Sequence, residues 1–114
     1  MSRPPNRIPP KREAANEQLL QEAIRLHQQG QLDGAEAIYR KILRAEPTSH
    51  RPLNLIGLAG FQRGNVADSL RDLGRAASIA PKVAKYHYDL GVVTQTHGQL
   101  AESIGHYQRA LALD

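Results

Sequence analysis

Residues 32–47 read LDGAEAIYRKILRAEP, and the pattern of that stretch returns twice, each time 34 residues further on. The step aligns Gly30, Gly64 and Gly98; Leu32, Val66 and Leu100; Ala35, Ser69 and Ser103; Tyr39, Leu73 and Tyr107; and Lys41, Arg75 and Arg109. Pro47 and Pro81 keep the same phase. A fixed period with small, bulky and proline positions in register marks an array whose units bury their apolar faces only by stacking on one another.

Each period predicts two helices. In the first, Leu19, Ala23 and Leu26 form one apolar stripe and Leu20, Ile24 and His27 a neighbouring one, over a helix from about residue 13 to residue 29. Gly30 ends it, because glycine takes the left-handed conformation that other residues resist. The second helix spans 32–45, with Ala35, Ile38, Tyr39, Ile42 and Leu43 inward and Arg40, Lys41 and Arg44 outward, before Pro47. Unit two opens on Thr48 and Ser49 as capping residues, places Pro52 in a first turn where its missing amide costs little, and runs over 50–63. Asn65 is then positioned to cap a helix over 66–79, and unit three follows with helices over 83–97 and 100–113.

These residues resemble the tetratricopeptide repeat family over about 16–114. The resemblance implies an all-α fold, an α-α superhelix or solenoid of three helix-turn-helix repeats at about 16–49, 50–83 and 84–114, six helices in all. It assigns Ala23, Gly57, Gly91, Ala35, Ser69, Ser103, Ala76 and Ala110 to the small positions of the helix-pair interface, and Leu32, Val66, Leu100, Tyr39 and Tyr107 to its larger ones. The chain departs from the family at Ile42, at Leu73 in place of an aromatic, and at Leu26, Gly60 and Thr94, where Tyr is usual. Gly57, Gly60 and Gly74 in helix interiors each cost about 0.5–1 kcal/mol relative to Ala, which marks unit two as the softest.

A stack of three units makes only nearest-neighbour contacts, so its core is a thin seam and its stability modest. Residues 1–12 hold four of the seven prolines and predict a disordered or polyproline-II tail ahead of a repeat domain at 13–114. That tail also carries Arg3, Arg7, Lys11 and Arg12, which account for the whole formal charge of +4; residues 13–114 carry 11 basic and 11 acidic residues. A neutral body with a small basic tail is a poor match for a polyanion, so no nucleic acid is expected as partner. No apolar run of the roughly 18 residues needed to cross a bilayer is present, and no signal-peptide core, so no membrane is expected either and the cytoplasm is the default location.

Nothing in the chain composes a catalytic site. There is no cysteine, and His27, His50, His87, His97 and His106 fall on different helices or helix ends without a helical i, i+4 pair, so no metal and no cofactor is expected. Carboxylate pairs such as Asp68 and Asp72 have the spacing of solvated helix faces. What remains is a surface. On the first helix of each unit one stripe is left over: Glu17, Leu20, Ile24 and His27; then Arg51, Asn54, Leu58 and Phe61; then Lys85, Tyr88, Val92 and Gln95. The resemblance assigns it to a concave groove that takes an extended peptide or a partner helix. The alternative is that Phe61 and Tyr88 pack inside the stack. Two specialised grooves of the family do not match: the chaperone-tail clamp has Lys and Asn where Leu20 and Ile24 stand, and the asparagine ladder of O-linked sugar transferases has Asn where Gln21, Leu55 and Asp89 stand.

Two functions follow as expectations. One is a non-enzymatic protein-interaction module. The other is the N-terminal repeat region of a larger enzyme, since AIRLHQQGQLDGAEAIYRKIL resembles the opening units in front of glycosyltransferase, sulfotransferase or methyltransferase domains; the reading frame past Asp114 discriminates them. The stripe of Ile104, Tyr107 and Leu111 is expected to be uncovered, which predicts self-association through the last repeat.

Overall fold

The computed structural model describes residues 10–114, with side chains from residue 12. Among the described residues there are six helices and no strands: α1 (Pro10–Gln28), α2 (Leu32–Ala45), α3 (His50–Gln62), α4 (Val66–Ile79), α5 (Ala84–Thr96) and α6 (Leu100–Leu113). The tail expected over 1–12 lies outside the described residues as far as residue 9. The helix α1 begins at Pro10. Proline suits a first helical turn, where its fixed φ is already helical and its absent N–H is not needed.

The turn inside each unit is built identically. Gly30, Gly64 and Gly98 sit at φ of 79°, 84° and 84°, in the left-handed region. Around the first of them the Gly30 amide donates to the His27 carbonyl (3.0 Å) and the Gln31 amide to that of Leu26 (2.9 Å); Asn65 to Gly60 (2.8 Å) and Gln99 to Thr94 (2.9 Å) repeat the long bond. These bonds satisfy carbonyls that the helix end would otherwise strand, a Schellman arrangement. The expected caps do not form. Asn65 and Ser49 occupy the N-cap positions of α4 and α3, but neither side chain bonds the helix. At Gln31, Asn65 and Gln99 the backbone holds ψ between 68° and 71°, short of the extended values at which a cap side chain meets the first amides. An acidic residue in the first turn, Asp33, Asp68 or Glu102, faces the positive helix end instead.

Packing proceeds from each helix to the next: α1 on α2, α2 on α3, α3 on α4, α4 on α5 and α5 on α6. Two buried clusters result, and each contains the first helix of the following unit. Leu20, Ala23, Ala35, Tyr39 and Ile42 close around Ile56 of α3; Leu53, Leu73, Ala76 and Ala77 close around Tyr86, Leu90 and Val93 of α5. Two glycines allow the approach of the paired helices: a Cβ on Gly57 would lie 2.8 Å from Leu73 Cγ, and one on Gly91 2.6 Å from the Tyr107 ring. The radius of gyration is 14.9 Å, against about 13 Å for a compact chain of this length, as a thin stack requires. Arg63, at the end of α3, pairs with Asp33 and, at 3.1 Å, with Glu36 of α2, tying the outer edges of units one and two.

Candidate functional site

The first helices form the inner row of the stack, and polar pairs join each to the next. Arg51 of α3 lies 3.7 Å from Glu17 of α1. His27 of α1 accepts at Nδ1 from the Tyr39 hydroxyl (3.0 Å) and donates from Nε2 to Gln62 Oε1 of α3 (2.6 Å). The Tyr86 hydroxyl of α5 donates to His50 Nδ1 of α3 (2.7 Å), with the rings edge to face at 5.6 Å. Asn54 Nδ2 donates to Asp89 Oδ2 (3.2 Å), and Lys85 Nζ donates to the same oxygen at 2.6 Å. Among the described residues these side-chain hydrogen bonds and ion pairs join first helices, not α2 to α4 or α4 to α6.

This row is open between α1, α3 and α5, where Ile24, His50, Arg51, Asn54, Leu55, Val83, Lys85 and Tyr86 line a pocket of about 330 Å³. Its floor is apolar, from Ile24, Leu55, Val83 and the Tyr86 ring, and its rim carries Arg51 and Lys85, both exposed. Both cations face a carboxylate, Glu17 and Asp89, so the rim is charged in both signs rather than basic. Burial pushes the Tyr86 phenol above its ordinary value; nearby Arg51 opposes the shift and Asp89 adds to it. Tyr86 therefore stays a neutral phenol beside His50. Among the described residues no group of three metal-ligating side chains forms, and no helix is long and apolar enough to cross a membrane.

Of the residues singled out by spacing, Ile24, Arg51, Asn54 and Lys85 meet at this pocket. Leu20 does not line it: it is 5% exposed and belongs to the unit-one core with Tyr39 and Ile42. Asn54 is present only as a wall, 2% exposed, because its amide is held by Asp89 of the next unit. Leu58 and Phe61 are half-buried against the cluster beneath α3 and α5. His27, Val92 and Gln95 lie farther along their helices; Gln95 accepts from the Tyr107 hydroxyl at 2.7 Å, as His27 accepts from Tyr39 two repeats earlier. Tyr88 is exposed and leans on Tyr107 of α6, at 5.7 Å between ring centroids. The pocket also uses Leu55, Val83, Tyr86 and His50, which the stripe had passed over. Leu55 was visible in sequence at the position shared with Gln21 and Asp89, one residue beyond the stripe.

An inner row of first helices, an outer row of second helices and a 34-residue step define an α-solenoid of stacked helical hairpins. The tetratricopeptide repeat model matches residues 20–84 and again 54–114, and the chain belongs to that family. Solved structures agree in fold. MamA shares 22% identity at a TM-score of 0.80 over 87% of this chain, which spans 58% of the MamA chain. An O-GlcNAc transferase of Thermobaculum terrenum shares 29% identity at a TM-score of 0.88 over 93% of this chain, which spans 20% of the transferase. The first repeat domain of Spaghetti, solved with a bound HSP90 peptide, shares 22% identity at a TM-score of 0.81 over 87% of this chain and 79% of its own.

Proposed function

We propose that the chain is a protein-interaction module that binds an extended peptide or partner helix along the inner row of α1, α3 and α5. The observation that carries this reading is the 330 Å³ pocket shared by the three first helices, apolar at its floor and polar at its rim. Such a site takes one aliphatic or aromatic side chain of the ligand at Ile24, Leu55 and Tyr86 and leaves Arg51 and Lys85 to meet polar groups beside it. The peptide bound to the Spaghetti domain shows that this fold holds peptides in that protein; with Leu20 withdrawn into the core and Ile24 on the pocket floor, the ligand here is chosen by apolar contact more than by a carboxylate clamp. The module is not itself catalytic, its partner is a protein rather than a nucleic acid or a membrane, and its place is the cytoplasm.

The test is selection of peptides from a random display library, followed by nuclear magnetic resonance mapping on the labelled chain. Selected peptides should shift Ile24, Leu55 and Lys85 and should bind Arg51→Glu more weakly, with the melting curve of that variant unchanged. A library that yields no binder, or binders that leave those residues unmoved, would refute the groove. A second reading, the repeat region of a larger enzyme, rests on the resemblance of AIRLHQQGQLDGAEAIYRKIL to units that open such enzymes. It is tested by extending the gene sequence past Asp114: a stop codon there removes it.

A further inference from the structure

Arg25, Arg51 and Lys85 of the first helices each have a carboxylate within ion-pair reach, in Glu22, Glu17 and Asp89. The second helices differ. Lys41, Arg44, Arg75 and Lys82 have no ion-pair partner among the described residues, and Arg109 reaches only the His106 imidazole, at 3.3 Å. The 34-residue step superimposes Lys41 on Arg75 and Arg109. Each stands six residues after the buried small residue of its helix, Ala35, Ser69 or Ser103, a rotation of about 240° that turns it away from the core. All three cations are exposed. Arg44, one turn on from Lys41, and Lys82, in the turn after α4, extend the same edge.

Helix electrostatics does not require these charges. The field of a helix C-terminus acts within the last turn, and the last turns of α4 and α6 hold no basic residue; Arg75 and Arg109 come before them. Acidic residues occupy the opposite end of the same helices, with Asp33, Asp68 and Glu102 in the first turns. The outer row therefore has an acidic edge and a basic edge, about 10–12 Å apart along the helix axes at 1.5 Å per residue. That separation exceeds the screening length of about 8 Å at physiological ionic strength, so an anion on the basic edge meets its cations with little opposition from the acids. Asp33 and Asp68 are themselves paired, with Arg63 and Arg71. Of the acids nearest the basic edge, Asp72 pairs with Arg71, Glu46 is half-buried in a pocket lined by α1, and Asp114 follows α6.

We propose that the basic edge of the outer row is a second docking surface, for an extended acidic segment of a partner protein, with Lys41, Arg75 and Arg109 meeting its carboxylates one per repeat. A narrow chain can follow this edge across all three units. A bilayer lies flat against a protein and would cover the acidic edge together with the basic one. The surface is on the opposite row from the pocket of α1, α3 and α5 and does not rest on the peptide reading of that pocket.

The probe is a fluorescein-labelled peptide of alternating Glu and Ser, titrated with the full chain in fluorescence anisotropy at low ionic strength. Binding should saturate and should weaken as salt is raised. It should fall about tenfold in the triple variant Lys41→Gln, Arg75→Gln, Arg109→Gln, the combined effect of three solvent-exposed charge contacts. The three side chains are exposed, so the circular dichroism and melting curve of this variant should match the parent. Amide shifts on the labelled parent chain should centre on residues 41, 75 and 109. Two controls carry the competing cations: Arg51→Gln with Lys85→Gln in the inner row, and Arg3, Arg7, Lys11 and Arg12 each replaced by Ser. Both should bind within about twofold of the parent. The proposal is overturned if the peptide does not bind, if the outer triple variant binds undiminished, if either control loses the binding instead, or if the shifts fall outside α2, α4 and α6. It is also overturned if phosphatidylserine–phosphatidylcholine vesicles or duplex DNA compete as well per negative charge as the peptide, because the occupant would then be a membrane or a nucleic acid.

Discussion

Glycine at positions 57 and 74 reads alike in sequence, yet the two do opposite things. A Cβ at Gly57 would meet Leu73 at 2.8 Å on its side chain and 3.1 Å on its backbone, whereas around Gly74 nothing lies within 4 Å. Gly57→Ala should therefore destabilise the chain by about 1–3 kcal/mol, the usual cost of overpacking, and Gly74→Ala should stabilise it by about 0.5–1 kcal/mol through the unfolded state. Urea titration of the two variants checks both signs. Tyr39 supplies a pH test. Burial pushes its phenol up to about 12, from an ordinary value of 10. The folded chain keeps a proton that the unfolded chain releases, so the contribution is intact below pH 10 and is lost as pH rises from 10 to 12. Thermal melts across that window should fall, and Tyr39→Phe should flatten the fall, leaving the smaller share due to Tyr86. Spacing put Ile24, Arg51 and Lys85 on one surface, and all three line the pocket of the inner row. It could not separate Asn54 from them, because whether α5 reaches over α3 depends on the twist between units, a property of no single residue.

At the scale of helices the boundaries were legible to within a few residues, because every unit carries a glycine at a positive φ and its helix ends there whatever the tertiary context. The caps were not legible. Asn65 has the chemistry of an N-cap, but in the turn that begins at Gly64 its ψ is 70° and its side chain makes no cap bond to α4. Two substitutions separate these roles. Gly64→Ala should cost about 1–2 kcal/mol, the penalty for a Cβ in the left-handed region, with Gly64→Asn costing less. Asn65→Ala should change stability by less than about 0.5 kcal/mol, half or less of what a working cap is worth. A loss of 1 kcal/mol or more in Asn65→Ala would restore the cap.

Across the whole molecule, the three helix-interior glycines of unit two mark it from sequence as the weakest part, whereas the packing argues for the opposite order. Gly57 is a site of close approach to Leu73 rather than a gap, and Gly60 is buried. α3 is packed by α2, α4 and α5, and α4 lies between α3 and α5, so unit two is held from both sides, while α6 packs on α5. In a stack with nearest-neighbour contacts only, opening an end unit breaks one interface and opening the middle breaks two. Amide exchange should accordingly be slowest in α3, α4 and the adjoining face of α5, faster in α1, and fastest in α6, whose Ile104 and Leu111 are already 56% and 74% exposed. Mass-spectrometric exchange on peptides from each helix measures this directly. Fastest exchange in α3 and α4 would return unit two to the weak place its glycines suggest, and uniform exchange across all six helices would mean that the stack opens as one cooperative body rather than unit by unit.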